Sequence, residues 1–546
     1  MHLTMPNAKR LEPGRGNGIL AVMKRTAISF LWLAACLLSL VTAYAEDESP
    51  TYPVGIENYY VINLAGPANM PNCVVNDIKT IDLNEDGLLD ILYTFEDANQ
   101  FIILNDPHRT SGYAGIAFQR PAASKNPPFA EVPDQYIGLD AKASLVSAGH
   151  YDAKTKGKQI VLFGTDGIGC YRMDASQRYN PAMDSFLKIP TMFRYPPTDA
   201  GAPPDYTSVL GGNDLNNDGL DDLIIPTLSG YSLFTDSGNA AFSFGTVNQQ
   251  VGADEYSFVN LSAGLPGLML VDLNGDGLKD IISCADNSIT YYVQPFNQPK
   301  VFTLKFLSGS SADDIAFKSV YFSDLNRDGT ADLIITTTGG NITNQLMTRV
   351  FVFNGVKDAA GAVNYAEMPS QIINIKGISP MIRLADINGD GYPDLFVTSF
   401  ETDLGSNIKK ALLRYVVISY QAFFYSPGAN AFSASPNYSK SINFPLSALG
   451  QGQFSHIYME YDFTGDRVPD LMYISGPDRR NCNLYVMPGR PKDELIKKSA
   501  VGFRKDEYLL YPLRIPDTVI IKDLNNDGKC DLILKYRSRM TMLISK

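Results

Sequence analysis

Carboxylate and amide side chains recur at a fixed spacing in seven short segments of the chain. Each segment begins with Asp and carries further Asp residues at its fifth and ninth positions. Six of the seven segments have Asn at the third position and Gly at the sixth. The segments span residues 82–90, 214–222, 272–280, 324–332, 386–394, 462–470 and 523–531. A pattern with five nearly fixed positions that returns seven times is an internal repeat and not a coincidence.

The chemistry that suits this spacing is the binding of Ca²⁺. Side chains at positions 1, 3 and 5 place three oxygens around one point, and Gly at position 6 permits the positive φ of a sharp turn. The Asp at position 9 then closes the shell. A flexible cage of hard oxygen ligands favours Ca²⁺ over Mg²⁺, which requires tighter octahedral geometry. We therefore predict up to seven structural Ca²⁺ sites, whose ligands are Asp82, Asn84, Asp86, Asp90, Asp214, Asn216, Asp218, Asp222, Asp272, Asn274, Asp276, Asp280, Asp324, Asn326, Asp328, Asp332, Asp386, Asn388, Asp390, Asp394, Asp462, Thr464, Asp466, Asp470, Asp523, Asn525, Asp527 and Asp531.

The charge balance of the chain agrees with cation binding. The 546 residues include 46 basic and 58 acidic side chains, a net charge of −12, and 23 of the acids lie in the seven segments. Without cations, each segment would hold like charges about 4–6 Å apart. Segment 462–470 is predicted to bind most weakly, because Thr464 replaces Asn and Arg467 replaces Gly. The negative balance also argues against nucleic acid as a partner.

Short apolar runs flank the segments and must position them. Such runs precede segments 272–280 and 523–531, at residues 268–271 and 518–521, and follow segments 324–332 and 523–531, at residues 333–335 and 532–534. Their length, their β-branched residues and the turn signals around them are typical of buried strands. An EF-hand is disfavoured, because that site has helices on both sides and its closing acid stands at position 12.

The spacing of the repeats predicts an all-β fold, a β-propeller. A decayed eighth copy begins at Asp152, where Lys154 and Lys156 replace the middle ligands, so no cation is expected there. The eight copies begin about 63 residues apart on average, which suggests one blade per copy. We predict eight blades with calcium-binding loops between blade strands, and seven blades are the alternative. A strand at residues 59–63 is expected to complete the blade that begins at Thr518, and an insertion is expected near residues 426–441.

The seven loops resemble the FG-GAP or VCBS repeats of the integrin α-subunit propeller and of secreted integrin-like proteins. The resemblance extends over most of residues 50–546 and is strongest at the loops, while Phe163-Gly164 and Phe244-Gly245 are isolated echoes of the Phe-Gly element. In that family the calcium loops stabilise the blades on one face, and other loops bind partners. The resemblance therefore implies a role in recognition, but it does not identify the ligand.

The first 45 residues are interpreted as a leader that contains a signal peptide. Lys24 and Arg25 precede an apolar run at residues 27–41, and Ala43-Tyr44-Ala45 forms a small-x-small cleavage site. This order is typical of secretory signals, and the true start is placed at Met23 as a hypothesis. An uncleaved anchor is the alternative. Residues 46–546 are predicted to form one propeller domain that is secreted and extracellular, or else located in a periplasm or secretory lumen, with no membrane span after cleavage.

Cysteine usage leaves two possibilities for the exported chain. Five cysteines follow the leader, namely Cys73, Cys170, Cys284, Cys482 and Cys530. They permit at most two disulfides and one odd thiol in an oxidising compartment. Buried free thiols are the favoured interpretation.

Signals for catalysis are sparse in the chain. His108, His150 and His456 form no closely spaced cluster, and no nucleophile elbow or phosphate-binding loop occurs after the leader. We therefore predict that the chain is not an enzyme. The favoured function is an exported, calcium-stabilised module for recognition or cell adhesion that binds a protein or another cell-surface partner. The alternatives are a glycan-binding lectin, for which the aromatic and proline-rich residues 193–206 offer a platform, and an enzyme that acts on polysaccharides or phospholipids.

Overall fold

The fold was described from a computed structural model. The described residues are 56–66, 73–97, 112–121, 126–139, 143–164, 167–188, 211–227, 230–235, 242–245, 248–253, 259–264, 267–285, 288–296, 298–304, 319–339, 347–359, 361–400, 415–445, 456–478, 480–489 and 508–546. Within these ranges the regular structure is entirely β-strand, apart from a 3₁₀ turn at Ile56–Asn58. No helix in this part of the chain is long and apolar enough to cross a membrane. The predicted leader lies outside the described residues.

The strands form eight blades, so the predicted eight-bladed all-β propeller is confirmed and the seven-bladed alternative is wrong. Blade 1 contains β2 to β5 and blade 2 contains β6 to β9. Blade 3 contains β10 to β12 and is followed by the hairpin β13–β14, and blade 4 contains β15 to β18. The first strand, β1 (Tyr59–Ala65), belongs to blade 8. The bounds are β2 Cys73–Ile81, β3 Asp90–Asp97, β4 Tyr113–Ala117, β5 Gln135–Gly138, β6 Ala143–Gly149, β7 Gln159–Gly164, β8 Gly167–Tyr171, β9 Asp184–Leu187, β10 Leu223–Thr227, β11 Gly230–Phe234, β12 Phe242–Phe244, β13 Asn248–Ala253, β14 Val259–Gly264, β15 Gly267–Val271, β16 Asp280–Cys284, β17 Ser288–Tyr292 and β18 Lys300–Thr303.

The second half of the chain repeats this arrangement with two inserted hairpins. Blade 5 contains β19, β20, β21 and β24, and blade 6 contains β25, β26, β27 and β30. The hairpins are β22–β23 in blade 5 and β28–β29 in blade 6, and the second confirms the insertion expected near residues 426–441. Blade 7 contains β31 to β34, and blade 8 contains β35 to β37 with β1. The bounds are β19 Ser319–Ser323, β20 Asp332–Gly339, β21 Met347–Phe353, β22 Gly355–Lys357, β23 Val363–Tyr365, β24 Gln371–Lys376, β25 Ile378–Ala385, β26 Asp394–Phe400, β27 Tyr415–Phe423, β28 Tyr425–Ser426, β29 Ala431–Phe432, β30 Tyr438–Pro445, β31 Ile457–Tyr461, β32 Asp470–Asp478, β33 Asn481–Met487, β34 Tyr508–Leu513, β35 Thr518–Lys522, β36 Asp531–Tyr536 and β37 Arg539–Ser545.

The hydrophobic core lies between neighbouring blades. The second strand of a blade is buried on both faces, and β26 is buried along its whole length. This explains why these strands are continuous apolar runs without alternation. One apolar cluster joins Leu333 and Phe353 of blade 5 to Ile282 and Phe302 of blade 4. Each blade is therefore stabilised chiefly by its neighbours.

The N-terminal strand closes the ring as predicted. Strand β1 pairs antiparallel with β37, from Tyr59 opposite Ser545 to Ala65 opposite Arg539. Ile62 and Leu64 of β1 are buried in a cluster that also contains Phe95 of blade 1. The first and last blades thus share one core, and the outer edge of β37 is covered by β1.

Candidate metal centres

The seven acidic segments occupy equivalent connections in seven blades. In six blades the segment lies between the first and second strands, as 272–280 does between β15 and β16. In blade 3 the segment precedes β10, and Asn213 and Asp222 form an antiparallel bridge there. Because each blade places the same connection at the same end of its sheet, the loops share one face of the propeller.

The first and fifth side chains fold each loop around itself. In the first loop the Gly87 N–H donates to Asp82 Oδ2 at 2.9 Å, and the Leu88 N–H donates to Asp86 Oδ1 at 2.9 Å. All seven loops make both of these bonds. Gly87 has a φ of 87°, which a side chain at that position would strain. The loop shape is therefore encoded by the acidic side chains and the glycine together.

The ninth residue of each loop is a buried carboxylate that accepts backbone hydrogen bonds. Asp90 is fully buried, and its two oxygens accept the N–H groups of Leu83 and Gln119, each at 2.9 Å. Burial raises the pKa of Asp90 to about 7, and the nearby carboxylates Asp86 and Asp82 add to the rise. A cation close to these carboxylates would oppose that rise and favour the charged form.

The hydrogen bond from the Gln119 N–H to Asp90 is a feature that the sequence did not reveal. In six blades the donor to the ninth carboxylate is the backbone N–H of a residue at or just after the end of the third strand. These donors are Gln119, Gln294, Gly355, Tyr425, Gly489 and Ser545. The side chains of this set share no chemistry, because a backbone group makes the contact. The ninth Asp therefore ties its loop to the third strand of the same blade.

The loop in blade 7 differs from the others in a way that the sequence prediction did not anticipate. Oxygens of Asp462, Asp466 and Asp470 lie within 4.8 Å of one another, the only such group of three acids found among the described residues. In five other loops the Asn at position 3 donates an amide N–H to the fifth Asp, whereas Thr464 has no amide. Arg467 adopts a φ of 65°, close to the conformation of the glycine it replaces. The weak cation binding predicted for segment 462–470 therefore stays a prediction.

The decayed eighth loop, in blade 2, is held together by an amide in place of the ninth carboxylate. Gln159 is fully buried, and its Oε1 accepts the N–H groups of Tyr151 and Asp152 at 2.6 and 3.0 Å. Its Nε2 donates to Thr155 Oγ1 and to the Gly157 carbonyl, both at 2.8 Å. A neutral side chain that both donates and accepts thus satisfies this loop. Sequence reasoning missed Gln159, whose only signal was its place directly before an apolar run.

Backbone hydrogen bonds connect the loops of neighbouring blades. The Ala331 N–H donates to the Leu273 carbonyl at 2.9 Å, and the Cys530 N–H donates to the Asp462 carbonyl at 2.8 Å. The decayed loop of blade 2 is bonded to the first loop of blade 1, because the Lys158 N–H donates to the Leu83 carbonyl at 2.8 Å. These bonds join the loops of blades 1 and 2, of blades 4 and 5, and of blades 7 and 8. We call the seven loops on this face the acidic belt.

The histidines, the cysteines and the aromatic platform singled out in the sequence lie apart from the acidic loops' ligand positions or outside the described residues. His150 Nδ1 lies 2.8 Å from Glu85 Oε1, and buried His456 contacts the Pro516 carbonyl through Nε2 at 2.9 Å. All five cysteines after the predicted leader are free, so the disulfide alternative is wrong. His108 and the predicted aromatic platform at 193–206 lie outside the described residues.

The donor set of the loops fits the predicted cation. At positions 1, 3, 5 and 9 each loop offers three carboxylates and one amide or hydroxyl oxygen, which are the hard ligands that Ca²⁺ prefers. The buried ninth carboxylates have raised pKa values in six further loops, about 7 for Asp222, Asp394 and Asp470 and about 6 for Asp280, Asp332 and Asp531. Bringing a positive charge to such sites would relieve the repulsion among their acids.

Comparison with known proteins supports the repeat and the fold. A family model for the FG-GAP-like repeat matches residues 272–335, which confirms the predicted resemblance. A lectin from Agrocybe aegerita that recognises terminal N-acetylglucosamine is 14% identical, with 89% of this chain and 99% of the lectin covered and a TM-score of 0.38. The V. cholerae biofilm matrix protein Bap1 is 11% identical, with coverages of 89% and 88% and a TM-score of 0.33. At these identities the likeness concerns the fold alone.

One match corrects the prediction that the chain is not an enzyme. A rhamnogalacturonan lyase from Bacillus licheniformis is 11% identical, with 89% of this chain and 76% of the lyase covered and a TM-score of 0.31. That prediction treated the absence of familiar catalytic motifs as evidence. The prediction is wrong, because missing motifs do not exclude an enzyme and lyases are among the proteins whose structures match this chain.

Proposed function

We propose that the chain is a calcium-stabilised propeller that acts as a recognition module for a partner at a cell surface. The observation that carries the proposal is the acidic belt, whose seven loops are equivalent in position and are partly hydrogen-bonded between neighbouring blades. A cation in each loop would stiffen one whole face. Loops and strand edges elsewhere would then be free to carry a binding surface.

Each calcium ion would be held by the side chains at positions 1, 3, 5 and 9 of a loop. In the third loop these are Asp272, Asn274, Asp276 and Asp280. The ion would supply positive charge to a site that otherwise gathers three carboxylates. Sites in extracellular modules bind Ca²⁺ with dissociation constants of about 10⁻⁴–10⁻³ M. Export through the predicted signal peptide would deliver the chain to a compartment where such sites fill.

A second candidate function is the binding of glycans. The observation that favours it is a polar groove on the outer part of blades 1 and 2, lined by tyrosine, proline, amide and charged side chains. Carbohydrate sites commonly combine a rigid aromatic ring with several hydrogen-bonding groups. This candidate is a narrower form of the recognition role, since a surface glycan is one class of cell-surface partner.

A glycan array probed with the labelled secreted protein, with calcium and with EDTA, tests the proposal. Circular dichroism on each sample shows whether the protein is folded. Calcium-dependent binding to a narrow set of sugars, or to intact cells by flow cytometry, is the expected result. A folded, calcium-loaded protein that binds neither sugars nor cells would overturn the recognition role. Release of products from a bound polysaccharide in the same samples would assign catalysis.

A further inference from the structure

A groove of 660 Å³ lies between blades 1 and 2, at the same end of the blades as the acidic loops. One wall is the start of β5 with the residues just before it, 133–136. The other wall is a turn at residues 174–181, between β8 and β9. The volume of the groove falls within the range of about 300–1,000 Å³ that is typical of small-molecule sites.

Hydrogen bonds within the fold hold the two walls in place. The Gln135 amide contacts both backbone groups of Tyr179, donating from Nε2 to its carbonyl at 2.6 Å and accepting its N–H at 2.9 Å. Buried Tyr179 in turn donates its hydroxyl to the Lys158 carbonyl at 2.8 Å. Asp174 Oδ1 accepts the N–H groups of Ser176 and Arg178 and shapes the turn. The groove is therefore preformed, which lowers the entropic cost of binding.

Aromatic and proline side chains supply the apolar part of the lining. Tyr136 packs edge-on against Phe95, with 5.8 Å between the ring centroids. Pro133 and Pro181 line the groove beside it. Rigid rings of this kind offer contact area at little cost in side-chain entropy.

Polar groups with spare hydrogen-bonding capacity complete the lining. Arg178 is exposed, and among the described residues its guanidinium forms no side-chain hydrogen bond or close ion pair, although its charge acts on nearby Asp174. Asn180 uses Oδ1 to accept the Ala182 N–H, which leaves its amide N–H groups available. Asp134 uses Oδ2 to accept the Phe118 N–H, and its other oxygen is available as an acceptor. Donors and acceptors therefore lie close together, as a ligand rich in hydroxyl groups requires.

The charges and the covered strand edge narrow the class of ligand. Asp134 and Asp174 outnumber the single cation Arg178 in the lining, so a polyanion would be repelled. A peptide would bind by adding a strand to the edge of β5, but the turn already contacts that edge through Gln135. We infer that the groove between blades 1 and 2 is a binding site for a neutral oligosaccharide. The inference rests on the proposed role in recognition and names a site for it.

Isothermal titration of the full secreted protein with defined trisaccharides tests the inference. The neutral probes are chitotriose, maltotriose and laminaritriose, and trigalacturonate is the acidic comparison. At least one neutral probe is expected to bind with a dissociation constant of about 10⁻⁴–10⁻³ M. Trigalacturonate is expected to bind at least tenfold more weakly. Failure of every neutral probe to bind, or tighter binding of trigalacturonate, would overturn the inference.

Variants of the lining locate the binding. Arg178→Ala removes the single cation of the lining, and Asn180→Asp removes an amide donor while keeping the acceptor for Ala182. Each is expected to weaken binding at least tenfold, whereas Arg120→Ala, an exposed residue of blade 1 outside the groove, should leave it unchanged. Sugar binding that neither lining variant weakens would place the site elsewhere and refute the groove, while leaving the recognition role intact.

Discussion

Replacement of Leu64 by Ala tests how the propeller is closed. Leu64 lies in β1, has no exposed surface and stands opposite Met540 of β37. Its apolar cluster includes Tyr93 and Phe95 of blade 1. The change therefore creates a cavity at the one junction where the two ends of the chain meet.

The magnitude follows from burial and from the size of the unfolding unit. Leu→Ala at fully buried sites costs about 2–5 kcal/mol, and the aromatic neighbours of Leu64 cannot collapse freely, so we expect about 3–4 kcal/mol. Unfolding entropy of about 2 cal/mol/K per residue gives about 1 kcal/mol/K for a compact unit that spans Pro53–Lys546. The melting temperature should then fall by about 3–4 °C if the propeller unfolds as one unit.

Urea denaturation and differential scanning calorimetry of the two proteins, both in calcium, provide the assay. Val61→Ala is the matched control, because Val61 lies in the same strand and is only partly buried. It should cost less than about 1 kcal/mol. A Leu64→Ala protein no less stable than the control would refute the closure argument. A fall in melting temperature well above 10 °C would show that the closing blades unfold separately.

Three further predictions concern single side chains. Gln159→Leu leaves the Tyr151 and Asp152 N–H groups without their acceptor, so it should cost about 2–4 kcal/mol in urea denaturation whether or not EDTA is present; a loss under about 1 kcal/mol would contradict the role of the amide. Arg383 pairs with Glu460 and lies 4.2 Å from the Tyr458 ring centroid. Arg383→Lys should therefore cost about 1–2 kcal/mol and Arg383→Met more, and equal losses would argue against the planar contact. Burial lowers the pKa of His456 to about 4, below its ordinary value of about 6.5. The free energy of unfolding should be at its full value above about pH 6.5 and should decline by about 2–3 kcal/mol toward pH 4, relative to His456→Gln, because the unfolded chain takes up the proton first. Parallel pH profiles of the two proteins would contradict this.

The parts of the fold that the sequence predicted are those that local chemistry determines. The loops were found because five positions within nine residues repeat. Each of these positions supplies an oxygen ligand or permits the turn, and few residue types can do either. The strands were found because both faces of β20 and β26 are buried and the runs are short. The closing strand was predicted because a strand ahead of the first loop would complete the blade that begins at Thr518 and cover exposed sheet edges.

The features that the sequence missed depend on contacts between distant segments. The N–H group that reaches Asp90 comes from Gln119, 29 residues away, and backbone groups leave no mark on composition. Gln159 replaces a carboxylate in a loop whose spacing has changed, so the repeat no longer points to it. The groove pairs Gln135 with Tyr179 from another blade, and only the folded ring brings them together.

The calcium content of the purified protein, measured with its melting temperature, tests the central claim most directly. After dialysis against Ca²⁺, the account predicts several bound ions per chain, up to the seven loops of the sequence. It also predicts a fall in melting temperature on adding EDTA, reversed by Ca²⁺ more fully than by Mg²⁺. Asp276→Ala should bind one ion fewer. A protein that retains no calcium and melts at the same temperature with and without EDTA would contradict the claim that calcium stabilises this propeller.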